Sequence, residues 1–385
     1  MFKKIAIVHE WYITRAGSER VIEQLLQIFP QADLFSLMDF MPENEKRNLS
    51  GRAIQTSFLQ KLPFIRANYR LALPLMPLAI EQFDLSGYDL ILSNCHAVSK
   101  GVITSPEQLH ISYVHTPIRY AWDMQAEYLN TSKTSGLGGI VARLILHYIR
   151  AWDALAANRP DIIIANSRFI ASRVQKTYRR DSRVIYPPVD TQTFTPGGER
   201  EDFYFTASRF VPYKRIELIV EAFRSMPEKR LVVIGEGPEM ARVRKLAGAN
   251  VVLMGYQPVE VLREHMRRCR AFIFAAREDF GITPLEAQAC GAPVIAYGEG
   301  GVGETIIGSA GAARSGVFFP EQTVGALRAA IQEFEQVEAS ISAQACRANA
   351  ERFSNERFKT EFESFVRSSW DEFQNQKNLR KTGRG

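Results

Sequence analysis

Ala271-Phe272-Ile273-Phe274-Ala275-Ala276-Arg277-Glu278-Asp279-Phe280-Gly281-Ile282-Thr283-Pro284-Leu285-Glu286 reads as a strand, a loop and the beginning of a helix. The run from Ala271 to Ala276 is short, apolar and aromatic-rich, as a strand buried on both faces of a parallel sheet requires. Thr283 is placed to N-cap a helix whose first position is Pro284, where a missing N–H costs nothing. Gly291 and Pro293 then end the helix, and Val294 opens a second apolar run. The spacing thus predicts Glu278 and Asp279 on a loop at the carboxyl end of a strand, facing a helix start. Ligands of open α/β sheets sit at such places, and a helix start favours phosphate. Glu286 fits either a ligand contact or a capping box closed on Thr283. Glu278 lies outside the helix, just before Gly281, where a tight turn lets backbone amides approach a ligand.

Upstream, a strand from Asp202 to Ala207 runs into Ser208-Arg209-Phe210-Val211-Pro212-Tyr213-Lys214-Arg215 and then a helix. Two cations on one strand-to-helix loop, Arg209 and Lys214, can converge on one phosphate-sized target; ordinary surface charge is the alternative. The same strand-to-loop step recurs from Leu231 into Gly235 and from Val251 into Gly255-Tyr256. Downstream, Gly298-Glu299-Gly300-Gly301-Val302-Gly303 lacks a strand about 20 residues on with a ribose-binding acid, so it reads as a flexible loop, not a dinucleotide fingerprint.

The N-terminal half repeats the alternation. Ile5 to Val8 is the first strand and Ser18 to Ile28 the first helix, with Gly17 before it fitting an anion site or a simple turn. A strand near Tyr88 to Ser93 leads to His96 and Lys100, and Leu109 to Val114 leads to His115-Thr116-Pro117-Ile118-Arg119-Tyr120-Ala121-Trp122. His115, Arg119 and Trp122 at one strand end supply donors and a flat apolar face, as a sugar-binding cleft needs; an aromatic turn packed on the sheet is the alternative. Between residues 51 and 80, Lys61, Arg66 and Arg70 alternate with Phe58, Leu62, Leu71 and Leu75. That mixture suits docking on an anionic leaflet, or packing within its own domain. Pro63, Pro74 and Pro77 forbid one long helix there.

Pro187-Pro188 enforces an extended linker. The expected division is 1–188 for a first domain and 189–349 for a second, with a last helix at about 350–370 packing back on the first and a basic, unstructured tail over 371–385. The chain has 385 residues, 46% hydrophobic and 23% charged, which suits two globular domains. A net charge of +6 suits phosphorylated ligands or an anionic membrane and is too mild to argue for nucleic acid. Cys95, Cys269, Cys290 and Cys346 form no Cys-x-x-Cys pair, so a reducing compartment is expected. The N-terminal apolar run is only strand-length, unlike a signal peptide, and no run of about 18 apolar residues exists to span a bilayer. The expected place is the cytoplasm, with docking at the cytoplasmic membrane face left open.

The glutamate loop together with Ala289-Cys290-Gly291-Ala292-Pro293-Val294-Ile295-Ala296 resembles the signature of retaining nucleotide-sugar glycosyltransferases of family four, which have the GT-B fold. The resemblance implies two Rossmann-like α/β domains facing across a cleft, the second taking the donor and the first the acceptor. It implies that Glu278 touches hydroxyls of the transferred sugar and Glu286 holds the ribose, on a donor loop that includes Asp279, Phe280, Gly281, Ile282 and Thr283. Arg209 and Lys214 would neutralise the departing nucleoside diphosphate, with Gly235 and Tyr256 bordering the base. The family usually has two adjacent glycines before the first helix; this chain has Ala16 and Gly17. The segment from His115 to Tyr120 resembles the mannosyltransferase-like branch of bacterial polysaccharide assembly, in which a histidine here contacts the transferred sugar. His96, Lys100, Arg119 and Trp122 would serve the acceptor or the sugar.

The activity so implied is retaining transfer of a hexose, with GDP-mannose the first choice of donor and UDP-sugars next. The implied acceptor is a polyprenyl-linked or other oligosaccharide. With no Asp-x-Asp and no His-x-x-x-His, no metal and no other cofactor is expected; Arg209, Lys214 and the helix start supply the positive field. A Rossmann oxidoreductase is disfavoured because the loop from His9 to Gly17 has a single glycine. A non-catalytic sugar-nucleotide-binding subunit would keep the donor pocket yet fail to hydrolyse the donor.

Overall fold

The computed structural model describes residues 2–49, 51–63, 65–126, 129 and 136–382. The chain divides into two compact units, with boundaries between Tyr186 and Pro187 and between Arg357 and Phe358. The first unit is built on a seven-stranded sheet: β1 Ile5–Tyr12, β2 Asp33–Asp39, β3 Ile54–Thr56, β4 Leu90–Cys95, β5 Leu109–Val114, β6 Ile162–Ala165 and β7 Arg183–Val184. Its spatial order is β3-β2-β1-β4-β5-β6-β7, and every pairing is parallel. Ile5, Ala6, Ile7 and Val8 are all buried, because helices cover both faces of a parallel sheet. The helix Gly17–Ile28 lays Val21, Ile22, Leu25 and Leu26 into the core that Ile5, Ile7, Leu90 and Ile111 form.

The last helix, Asn355–Thr382, contributes Phe358, Phe362, Val366 and Trp370 to that same core. Their spacing places them on one helical face. The unstructured tail expected from 371 is corrected up to Thr382: the helix continues through Lys377, Arg380 and Lys381, since propagating a nucleated helix costs little. Arg384 lies outside the described residues. Residues 51–80 form no single long helix. Short turns at Phe58–Lys61 and Tyr69–Leu75 precede the helix Met76–Glu81, burying Leu59, Ala72, Met76 and Ile80 while Leu71, Leu75 and Leu78 stay exposed.

The second unit repeats the plan with β8 Tyr204–Ala207, β9 Leu231–Ile234, β10 Val251–Leu253, β11 Ala271–Phe274, β12 Val294–Tyr297 and β13 Gly316–Phe319. The parallel order is β10-β9-β8-β11-β12-β13. Both sheets are Rossmann-like: the strand order reverses beside the first strand, between β1 and β4 in one and between β8 and β11 in the other. Loops leaving those strands flank the crevice where open α/β sheets bind ligands.

Candidate functional site

In the second unit the loops after β8 and β11 carry the expected donor residues. The decisive helix runs Ile282–Ala289 and begins one residue before Thr283, with Gly281 as N-cap at φ 91°. Thr283 and Pro284 therefore occupy the second and third positions of the helix. The Thr283 cap and the Thr283–Glu286 capping box are corrected accordingly, because Gly281 makes the turn in the left-handed region that glycine enters freely. A Cβ at Gly281 would meet the Val302 side chain at 2.8 Å. Glu278 bridges to Gly300 in parallel fashion, and the Gly301 N–H donates to its carbonyl at 2.8 Å, fixing the loop against the following glycine-rich segment.

Lys214 ends a short helical turn, Pro212–Lys214, and its ammonium pairs with the Glu278 carboxylate. Both side chains retain contact with solvent, 18% and 16% exposed. The Lys214 ammonium also sits 5.8 Å from the centre of the Phe274 ring and 5.5 Å from that of Tyr213. Arg209, on the same loop, is exposed. The structure thus brings Lys214 and Glu278 together and leaves Arg209 exposed on the loop it shares with Lys214. Asp279, Phe280 and Glu286 are buried, Phe280 edge-on to Phe353 at 5.6 Å, while Ile282 and Thr283 are half-buried. Gly235 packs where its backbone passes Ser208 so closely that a Cβ would lie 1.8 Å from the Ser208 carbonyl oxygen. Tyr256 is exposed, its N–H bonded to Glu236 at 3.2 Å.

In the first unit the strand ends at the switch point hold a polar network that was not read from the sequence. Glu10 is fully buried; its Oε1 accepts from the backbone N–H groups of His96, Ala97 and Ser99 at 3.0, 2.9 and 3.1 Å. Its Oε2 lies 3.0 Å from His96 Nδ1 and 3.7 Å from His9 Nδ1. Burial by itself would raise the Glu10 pKa, but His96, His9 and the Ala97 amide hold it well below the carboxylate range. His96 is raised in turn: burial opposes its charge, and the Glu10 carboxylate outweighs burial. Glu19 is lowered to about 2, burial being overcome by its 3.2 Å contact with His9 Nε2. The legible signal was His9-Glu10 directly after an apolar strand run, where a buried acid demands partners.

His115 Nε2 lies 2.7 Å from Asn94 Oδ1, and Asn94 Nδ2 donates to the Ser18 carbonyl at 3.0 Å. Burial, with His96 nearby, pushes His115 down to about 3, so it is a neutral hydrogen-bonding group at neutral pH. Gly17 is the first residue of the helix, which starts one residue earlier than expected, and the neighbouring backbone is already engaged: Glu19 Oε2 accepts from the Ala16 N–H and the Ser18 hydroxyl, both at 2.9 Å. Lys100 needs a correction as a ligand-facing residue. Its ammonium is buried, paired with Asp153 and bonded to the Ala97 carbonyl, while Asp153 also accepts from Trp122 Nε1 at 2.7 Å and the Tyr178 hydroxyl at 2.9 Å. A buried ammonium is tolerated only with such partners, and Asp153 lies too far along the chain for spacing to reveal it. Arg119 is half-buried.

Among the described residues, no helix is long and apolar enough to cross a membrane.

The family model "Glycosyltransferase Family 4" matches residues 16–193, and "Glycosyl transferases group 1" matches residues 192–353. An uncharacterized glycosyltransferase of Methanocaldococcus jannaschii is 27% identical over 56% of this chain and 63% of its own length. A GDP-mannose-dependent alpha-(1-6)-phosphatidylinositol monomannoside mannosyltransferase of Mycolicibacterium smegmatis is 28% identical over 39% of this chain and 47% of its own. The chain thus spans less than two thirds of either relative. The fold matches that of Anabaena HepE, solved with UDP and glucose, with a TM-score of 0.67 at 16% identity over 94% of this chain and 99% of that one.

Proposed function

The chain belongs to the family-four glycosyltransferases, and we propose that it is a retaining hexosyltransferase moving mannose from GDP-mannose to a lipid-linked or oligosaccharide acceptor. The observation that carries the reading is the Lys214–Glu278 pair, beside Arg209 and the start of the helix Ile282–Ala289, at the switch point of the second sheet. When donor binds, the Lys214 ammonium turns from Glu278 to the phosphate oxygens, and the freed carboxylate accepts hydrogen bonds from the sugar hydroxyls. The bond between the anomeric carbon and the phosphate oxygen breaks, its electron pair leaving with the diphosphate. Lys214, Arg209 and the helix start stabilise that charge without a divalent ion. The acceptor hydroxyl forms its bond on the same face and passes its proton to the departing phosphate oxygen. Glu286 holds the ribose.

The mannose assignment draws on the Mycolicibacterium relative and on the segment from His115 to Tyr120. A UDP-sugar is the second reading, favoured by the fold neighbour solved with UDP and glucose. A lipid-linked acceptor fits the exposed apolar residues of the first unit, Leu71, Leu75 and Leu78 with Val141, Leu144 and Leu155 on the helix Gly136–Ala156, and the exposed cations Lys61, Arg66 and Arg70 of the segment 51–80. Thermal-shift measurement against GDP-mannose, UDP-glucose and UDP-N-acetylglucosamine tests the donor. A selective donor at 100 times its dissociation constant stabilises by about 2.7 kcal/mol. Anomer analysis of the product tests retention, and an inverted product defeats the mechanism. Sedimentation with anionic vesicles tests the membrane contact, which equal recovery with neutral vesicles would remove.

A further inference from the structure

We propose that His9, Glu10 and His96, at the switch point of the first sheet, form a binding site for a divalent transition-metal ion of the zinc class. β1 carries His9 and Glu10 side by side, and the turn after β4 brings His96 against them. One ligand atom from each residue falls within 4.8 Å of the others. Three backbone amides hold Glu10 Oε1, which fixes the carboxylate and leaves Oε2 facing the two imidazoles. Oε2 and His96 Nδ1 are both buried and pair with each other at 3.0 Å, so the carboxylate and the imidazole already converge on one point.

His9 is oriented from its far side. Its Nε2 faces Glu19 Oε1 at 3.2 Å, while Nδ1 lies 3.7 Å from Glu10 Oε2 and 3.3 Å from the Asn94 carbonyl oxygen; in the tautomer that donates from Nε2 to Glu19, Nδ1 presents its lone pair to an ion. This is the carboxylate–histidine arrangement that second-shell acids impose on metal-binding imidazoles. Nδ1 now receives a long bond, 3.2 Å, from Asn94 Nδ2, which the ion would displace.

Two imidazoles and one carboxylate are a zinc ligand set with a fourth position left for water. Bonds of 2.0–2.2 Å in a tetrahedron place ligand atoms about 3.3 Å apart, and the two separations to Glu10 Oε2, 3.0 and 3.7 Å, bracket that value. His9 and Glu10 are fully buried whereas the His96 side chain is 25% exposed, so the ion enters, and keeps its water, on the His96 side. Glu10 and Glu19 supply the negative charge that attracts it. Binding releases whatever proton His96 Nδ1 shares with Glu10. The proposal does not depend on the leaving-group chemistry proposed for the second unit.

The test uses the untagged full chain equilibrated with Zn²⁺, passed through gel filtration and measured for retained metal. About one zinc per chain is expected, none in His96→Ala or His96→Gln. Glu19→Gln, which alters only a positioning residue, should weaken zinc binding about 10- to 100-fold. Cobalt in place of zinc should give the intense visible absorption of a four-coordinate site, lost in His96→Gln. Circular dichroism of each metal-free variant reads the fold separately. Retention of no zinc by the wild type overturns the proposal, and so does equal retention by a folded His96→Gln, which would place the metal on other histidines such as His147 or His265.

Discussion

The two sheets reverse their strand order in the same way, yet their switch points are finished differently. In the first unit the ends of β1 and β4 are wired inward: Glu10 is held by three amides and two histidines, and Lys100 is buried against Asp153. In the second unit the ends of β8 and β11 keep part of their charge within reach of solvent: Arg209 is exposed and the Lys214–Glu278 pair retains some solvent contact, while Asp279 and Glu286 are buried. The physical difference is what each charge can exchange. A buried charge keeps its partners because losing one leaves an unsolvated ion. A pair that still reaches solvent can trade its partner for a ligand phosphate, because the phosphate replaces the charge that is lost. One plan thus yields a framework in one place and a binding loop in the other.

The contrast breaks most sharply at Lys100. Lys100→Ala or Asp153→Ala should destabilise the first unit by about 3–5 kcal/mol, since either leaves a buried charge alone. Urea unfolding followed by tryptophan emission measures it, because Trp11, Trp122, Trp152 and Trp370 all belong to the first unit. A variant as stable as wild type would show that the first switch point is not wired inward. Lys214→Ala should leave that emission transition in place while lowering kcat/KM for transfer about 10²- to 10³-fold, the range seen when one charge-stabilising donor is removed. Wild-type turnover would remove Lys214 from the mechanism.

Gly281→Ala should cost about 1–3 kcal/mol, from a residue forced to a positive φ and a methyl set against Val302. It should lower the far-ultraviolet circular dichroism midpoint and spare tryptophan emission. Loss of both signals together would mean that the two units do not unfold separately.

The smallest effect is on pH. Glu19 has a folded pKa lowered from 4.5 to about 2, so its contribution is whole above pH 4.5 and is lost as pH falls toward 2. His96 has the opposite sign: its folded pKa is raised, so its contribution is whole below 6.5 and is lost as pH climbs through the raised value. The tryptophan-detected melting midpoint should fall by a few degrees on acidification across the first window. Glu19→Gln should flatten that dependence, and an unchanged slope would mean that Glu19 is not the titrating group.

Much of the second unit could be read in advance because its signals are local. The apolar run at Ala271, the loop glutamate and the glycine before the helix lie within one short stretch, as do Arg209 and Lys214. The helix start was misplaced because Thr283 and Gly281 compete for the cap, and only backbone geometry shows that Gly281 takes the left-handed turn. The first unit was harder. Glu10 meets His96 and Lys100 meets Asp153 only after β1, β4 and the helix Gly136–Ala156 are packed, and no spacing rule links residues that far apart.

The sequence by itself determined the alternation of strand and helix, the parallel sheets and the loops that would carry charge, because hydrophobic period and turn residues act over a few positions. Tertiary structure decided which of those charges became buried partners and which stayed at the surface. The reason is desolvation: the cost of a charge depends on what surrounds it in space, and distant parts of the chain supply those surroundings.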